Sequence, residues 1–265
     1  MLYSSMLPLG FMKKRLNIGI IFFLAISCNS MAGETVRLTN GEWPPYLSKN
    51  LKHYGVASHI VEAAFQNAGI AVAYGFFPWK RSFILAQRGT WDGSVIWSPS
   101  DERAKDFYFS EPVAYDINVF FYMKSKLFDW HNYSDLKGLR IGATISYDYG
   151  DEFTKNEKNT TIYVERAVKD ETGFKKLISK RIDLFVCNLD VGYYLIHKMY
   201  PIETASMFTN HPKPVKEAPL TLILSKKLAK NKQLIEKFNK SLKQLKNNGK
   251  FDNYYDASRR GEYKQ

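Results

Sequence analysis

Cysteine is scarce in this chain, with two in 265 residues, Cys28 and Cys187. So small a number excludes a disulfide-stapled scaffold. Cys187 closes the apolar run Leu184-Phe185-Val186-Cys187, which predicts a buried, inert thiol. Histidine is nearly as rare. His53, His59, His131, His197 and His211 show no metal-ligand spacing with cysteine, so neither a metal nor another cofactor is expected. The sequence has no Gly-x-x-x-x-Gly-Lys loop and no Gly-x-Ser-x-Gly elbow, so it carries neither of those catalytic signatures. Acidic residues are the minority charge, 26 against 38 basic, for a net charge of +12. That balance favours anionic partners through long-range steering. The lysines are scattered over the C-terminal half without interleaved aromatic platforms, so nucleic acid is not expected. Beyond residue 32 no stretch is long and apolar enough to span a bilayer.

What is present begins with a leader. Lys13-Lys14-Arg15 is a positive segment, Leu16 to Ser27 a short apolar one, and Ser30-Met31-Ala32 supplies small residues for cleavage. Together they read as a secretory signal peptide over residues 1–32, with Met12 as an alternative start. Three of the 38 basic residues and none of the acidic ones lie in that span. Removal therefore leaves a charge of +9. Lipidation at Cys28, after Ala25-Ile26-Ser27, is the alternative. The expected product is a soluble, periplasmic monomer.

After the leader, strand and helix patterns alternate. Strands are expected at Thr35 to Thr39, Ile70 to Phe77 and Ser94 to Trp97, and helices at Val56 to Ala68 and Arg81 to Arg88. A second round has strands at Val119 to Met123, Arg140 to Ala143, Thr161 to Val164, Leu184 to Cys187 and Leu220 to Leu224. Its helices are Thr172 to Ser179 and a tail helix, Asn231 to Lys246, with Leu234, Ile235, Phe238, Leu242 and Leu245 on one face. The alternation argues for α/β domains with largely parallel sheet. The rounds also echo each other. Phe83 precedes Asp92 by nine positions, Phe174 precedes Asp183 by nine, and an apolar strand follows each Asp. Two similar lobes with a ligand between them fit that echo.

A family resemblance rests on ordered motifs. Ser100-Asp101-Glu102-Arg103 is followed by Phe107-Tyr108-Phe109-Ser110-Glu111-Pro112. Gly55-Val56 with Val61-Glu62-Ala63-Ala64 comes before them, as does Leu85 to Gly89 with Asp92. Ser134-Asp135-Leu136-Lys137-Gly138-Leu139-Arg140-Ile141-Gly142 and Arg181-Ile182-Asp183 come after. This set resembles the bacterial extracellular solute-binding proteins of family 3, the polar-amino-acid type that serves ABC importers. The resemblance implies a two-lobed periplasmic-binding-protein fold of type II with two hinge crossovers, closing on its ligand. Lobe one would comprise 33–120 plus 218–265, and lobe two 121–217.

The same resemblance assigns Arg103 to a ligand carboxylate, a role its bidentate guanidinium suits. The alternative is a surface pair with Glu102 or Asp106. Ser98 and Ser100 would touch the ligand or cap a turn. Trp43, Tyr46, Trp79 and Trp97 are expected as aromatic walls, or as core. In lobe two, Ser146-Tyr147-Asp148 stands where the family has a helix-opening loop that binds an anion. The family's ammonium-binding acid falls at Asn188, which is neutral. Asp190, on the same side if the strand continues, and Asp148 are the candidate replacements.

The reading adopted is a receptor, not an enzyme, that delivers a small polar, carboxylate-bearing solute to an ABC permease or other inner-membrane partner. One alternative is a ligand-sensing adaptor for a membrane sensor. The other is a dehydratase or lyase on the same scaffold, with Glu42, Asp148 or Asp190 as acid or base.

Overall fold

The computed structural model describes residues 1–3 and 34–264. Most of the expected leader, with its cleavage point and Cys28, lies outside the described residues. None of the described helices is long and apolar enough to cross a membrane.

The first half runs β1 (Thr35–Asn40), α1 (Val56–Asn67), β2 (Ala71–Phe76), α2 (Trp79–Gln87), β3 (Gly93–Trp97), a short α3 (Asp101–Ala104) and the long β4 (Phe107–Met123). The second half has β5 (Arg140–Thr144), α4 (Asp151–Lys158), β6 (Tyr163–Ala167), α5 (Asp170–Ile178), β7 (Leu184–Asn188), α6 (Leu189–Met199), α7 (Ile202–Ala205) and β8 (Phe208–Asn210). The chain then returns through β9 (Lys216–Ser225) to α8 (Asn231–Asn247) and α9 (Lys250–Arg259).

One mixed sheet has the order β2-β1-β3-β9-β4-β7-β5-β6, with β8 also on β4. Its two inner strands, β4 and β9, are antiparallel from Phe107–Ser225 to Asn118–Lys216. They are the two crossovers of a two-lobed fold. On one side of them a core gathers Val36, Leu38, Phe65, Leu222 and the tail-helix residues Leu234, Phe238 and Leu242. Phe65 and Phe238 place their rings 4.9 Å apart, so the expected apolar face of α8 seats on α1. On the other side, Phe121, Phe174 and Phe185 pack one face of the second sheet half, and Phe120, Ile141 and Phe153 pack the other.

The nine-residue echo has a structural counterpart. In the first lobe, the Asp92 N–H donates to the Arg37 carbonyl (2.9 Å), and the Arg37 N–H donates to Asp92 Oδ2 (2.7 Å). In the second, the Asp183 N–H donates to the Arg140 carbonyl (2.8 Å), and the Arg140 N–H donates to Asp183 Oδ2 (2.9 Å). Each aspartate thus locks the strand it opens, β3 or β7, to the parallel strand beside it. Lys126 Nζ (3.0 Å) and Arg140 Nε (3.0 Å) complete the shell of Asp183. The Arg140 hydrogen bonds, and then Lys126, hold its carboxyl well below the usual carboxylate range, against the opposing effect of burial.

Replacing Asp183 with alanine is expected to cost about 2 kcal/mol in urea unfolding, the value of charge-assisted hydrogen bonds. The folded carboxyl stays ionised to lower pH than the unfolded one. Its contribution is therefore full above roughly pH 4 and lost below that. The gap between wild type and variant should narrow as pH falls through that range.

The structure corrects three local expectations. β4 does not begin at Val119. It passes through Pro112, and its pairing with β9 shifts on either side of that residue, a place where a strand tolerates proline. The strand at Leu184 stops at Asn188, and α6 begins at once, with Asn188 as its cap. The helix after Thr144 starts at Asp151, later than the loop at 146–148 implied, and carries Asp151 and Glu152 in its first turn.

Candidate functional site

Two adjoining chambers open beside the crossover strands. One, of about 400 Å³, is lined by Glu42, Trp43, Trp79, Ile96, Trp97, Ser98, Arg103, Asp116 and Leu220. The other, of about 350 Å³, is lined by Trp43, Asp116, Asn118, Tyr147, Asp148, Asp170, Asn188, Val191 and Lys216. Trp43 and Asp116 belong to both. The first chamber draws mainly on the loop after β1 and the ends of α2 and β3. The second draws on β4, β7 and the loop before α4.

Local structure sets the aromatic wall. Gly41 has no side chain, and a Cβ there would meet the Trp79 ring at 2.3 Å, so the indole lies directly on the backbone. Ile96 has φ 56 within an irregularity of β3. A β-branched residue in the left-handed region is strained. The irregularity sits next to Trp97, whose Nε1 donates to Ser94 Oγ (2.8 Å). Trp79 and Trp97 then meet edge to face, with centroids 5.5 Å apart.

Arg103 lies over the Trp97 ring, 5.4 Å from its centroid, and Nη1 donates to the Ser98 carbonyl (2.6 Å). The Arg103 N–H donates to Ser100 Oγ at the start of α3 (3.3 Å). Ser100 therefore positions the arginine and is not among the lining residues. Arg103 forms no ion pair among the described residues. Asp106 instead accepts Gln87 Nε2 (2.7 Å). The guanidinium is thus oriented by an aromatic face and one carbonyl, with donors left over.

The second chamber holds the polar centre. Asn118 and Asn188 face each other across β4 and β7. Asp116 Oδ1 accepts the amides of both, Asn118 Nδ2 at 3.1 Å and Asn188 Nδ2 at 2.8 Å. Asn188 Oδ1 accepts the N–H groups of Asp190 (3.1 Å) and Val191 (3.0 Å), so the residue also caps α6. Asp170 is 7 % exposed and hydrogen-bonded to the Thr144 hydroxyl. Burial raises its carboxyl above the usual range. Asp148 pairs with Lys216 Nζ (2.5 Å), which leads the causes that lower its carboxyl.

Of the residues singled out from sequence, Trp43, Trp79, Trp97, Ser98, Arg103, Tyr147 and Asn188 come together here. Tyr46, Ser100, Ser146 and Asp190 do not line either chamber. Tyr46 is fully buried, and its hydroxyl donates to Asp190 Oδ2 (2.9 Å). Asp190 Oδ1 accepts Arg259 Nε (2.7 Å), so both carboxylate oxygens are engaged within the protein. The expectation that Asp190 continues the strand beyond Asn188 fails because α6 turns the chain there.

Asp116, Asp170 and Lys216 also line the chambers and were not singled out from the sequence. A signal existed for the first: in Ala114-Tyr115-Asp116-Ile117-Asn118-Val119 the two polar residues lie two apart, on one face of a strand. A larger cavity, about 850 Å³, lies beside α6 and α9. Its charged groups are already committed, Arg259 to Asp190 and Arg260 to Glu262 (2.6 Å). Among the described residues, no group of three or more His, Cys, Asp or Glu is placed to hold a metal ion.

The sequence profile of the bacterial extracellular solute-binding proteins, family 3, matches residues 36–257. No curated protein matches the sequence. Among solved structures, the second substrate-binding domain of GlnP from Lactococcus lactis, in open conformation, is similar with a TM-score of 0.70 at 20% identity. The match covers 85% of this chain and 95% of that one. The unliganded, open L-cystine solute receptor of Neisseria gonorrhoeae has a TM-score of 0.65 at 16% identity, over 82% of this chain and 89% of its own. At these identities the likeness shows the fold. The family and these neighbours are substrate-binding proteins rather than enzymes.

Proposed function

The chain belongs to the bacterial extracellular solute-binding proteins, family 3, and from that membership and the cleft we propose that it captures a small, carboxylate-bearing amino compound for an ABC importer. The observation that carries this reading is Arg103. It is oriented on Trp97 and by Ser98, free of any ion pair among the described residues, and opens on a chamber it shares with an acid, Asp116. A guanidinium at one end and a carboxylate at the other complement a zwitterion. The indoles of Trp43, Trp79 and Trp97 would hold its apolar part.

The lobes divide near 120 and 217, and they close by hinge motion about β4 and β9. Tyr147 is 55 % exposed at the rim, where closure would lay its ring on the solute. Residues 1–32 act as the export signal, which places the mature monomer in the periplasm with an inner-membrane permease as its partner.

A thermal-shift screen against amino acids, their derivatives and small organic acids tests the reading. A true solute at a hundredfold its Kd adds about 2.7 kcal/mol to native stability. For a chain of this size that raises Tm by about 5 to 10 °C. A bound compound that is then chemically converted would contradict the receptor reading.

A further inference from the structure

The chain as a whole is strongly basic, yet its cleft is acidic. The two chambers are lined by four carboxylates, Glu42, Asp116, Asp148 and Asp170, against two cations, Arg103 and Lys216. Lys216 is already committed to Asp148. Neither Asp116 nor Asp170 has a cationic partner among the described residues. Asp116 is held by two neutral amides, and Asp170 by a hydroxyl. A carboxylate as buried as Asp170 is costly to ionise without a counter-charge. The Trp43 ring, shared by both chambers, adds a face that favours cations.

We propose that the cleft is built for a solute with one carboxylate and two cationic groups, a dibasic amino acid or a close derivative. This rests on the receptor reading above. The carboxylate sits on Arg103. The adjacent ammonium sits on Asp116, the acid common to both chambers. The second cation reaches into the far chamber to Asp170, pairing the one buried acid the fold leaves without a cation there.

Asn188 fits the same arrangement. Its amide N–H donates to Asp116, which a carboxylate at that position could not do.

The test is calorimetric titration of the protein with L-lysine, L-arginine, L-glutamine, L-norleucine and 1,5-diaminopentane, repeated on Asp170→Asn and Asp116→Asn. Asparagine at 170 keeps an acceptor for the Thr144 hydroxyl, and thermal melts check that each variant folds. Lysine or arginine should bind about tenfold or more tighter than glutamine and norleucine, the value of one charge-assisted hydrogen bond. Asp170→Asn should cut that preference to about threefold or less, and Asp116→Asn should weaken all four amino acids. The diamine, lacking a carboxylate, should bind more weakly than lysine. If glutamine or norleucine binds as tightly as lysine, or Asp170→Asn leaves the preference intact, the dibasic assignment falls while the receptor reading stands. If none of the five compounds binds, the dibasic assignment falls, and the receptor reading is decided by the wider thermal-shift screen.

Discussion

Replacing Arg103 with alanine should weaken binding of the carboxylate-bearing solute by about 30- to 1000-fold while leaving the fold intact. Truncating one partner of a desolvated, hydrogen-bonded charge pair costs about 2 to 4 kcal/mol, part of it from leaving the other charge unpaired. The side chain contributes little to the core. It rests on the outer face of Trp97 and donates to one carbonyl, so its loss should move Tm by no more than about 2 °C. Arg103→Lys separates charge from geometry. An ammonium keeps the attraction but cannot donate as a fork, and an intermediate loss of about tenfold is expected. Calorimetry on the three proteins with one solute decides the point. Equal affinity in wild type and Arg103→Ala would remove Arg103 from the site.

The largest effect on stability is expected at Arg259. Asp190 lies at the start of α6 with its side chain 3 % exposed, and Arg259 of α9 is its counter-ion. Burial raises the Asp190 carboxyl, while Arg259 and the Tyr46 hydroxyl oppose the rise. In Arg259→Ala the carboxylate stays buried without a partner, at a cost of about 3 to 5 kcal/mol. Tm should fall by about 8 to 15 °C. The pH dependence has a definite sign. Without Arg259 the folded carboxyl ionises at higher pH than the unfolded one, so the variant is penalised as pH rises through that interval. It should therefore lie closer to wild type near pH 4 than near pH 8. Asp190→Asn should cost less, because the amide oxygen still accepts from Tyr46 and Arg259 can turn to solvent. Replacing both charged groups together, Asp190→Leu with Arg259→Met, should recover much of the loss. Urea melts at the two pH values measure all of this.

These two residues also show what could be read from the sequence. The surroundings of Arg103 were legible because they are local: Trp97, Ser98 and Ser100 all lie within six positions. The repeat at Asp92 and Asp183 was legible for the same reason. Each aspartate stands a fixed distance from its own helix and opens its own strand. Asp190 was not legible. Leu189-Asp190-Val191-Gly192-Tyr193-Tyr194-Leu195-Ile196 has apolar and β-branched residues on every side, so its period does not separate helix from strand. The capping of α6 by Asn188 decides the matter, through bonds to the N–H groups only two and three positions on, a local helix-start signal that the apolar run obscured.

Asp116 and Lys216 were hidden by distance along the chain. Asp116 joins the polar centre of the cleft only when β7 brings Asn188, 72 positions on, against β4. Lys216 reaches Asp148 only because β9 returns along β4. Patterns of two or four residues carry local structure, but a cleft made by crossover strands depends on pairings that no short window contains.

A crystal structure of the protein saturated with the solute that raises its Tm most decides whether the Arg103 cleft is where that solute binds. The solute is expected between the two lobes, its carboxylate on the Arg103 guanidinium, its ammonium within hydrogen-bond reach of Asp116, and Tyr147 moved onto it. A solute seated instead in the larger cavity beside α6 and α9, with Arg103 untouched, would remove the Arg103 cleft as the binding site.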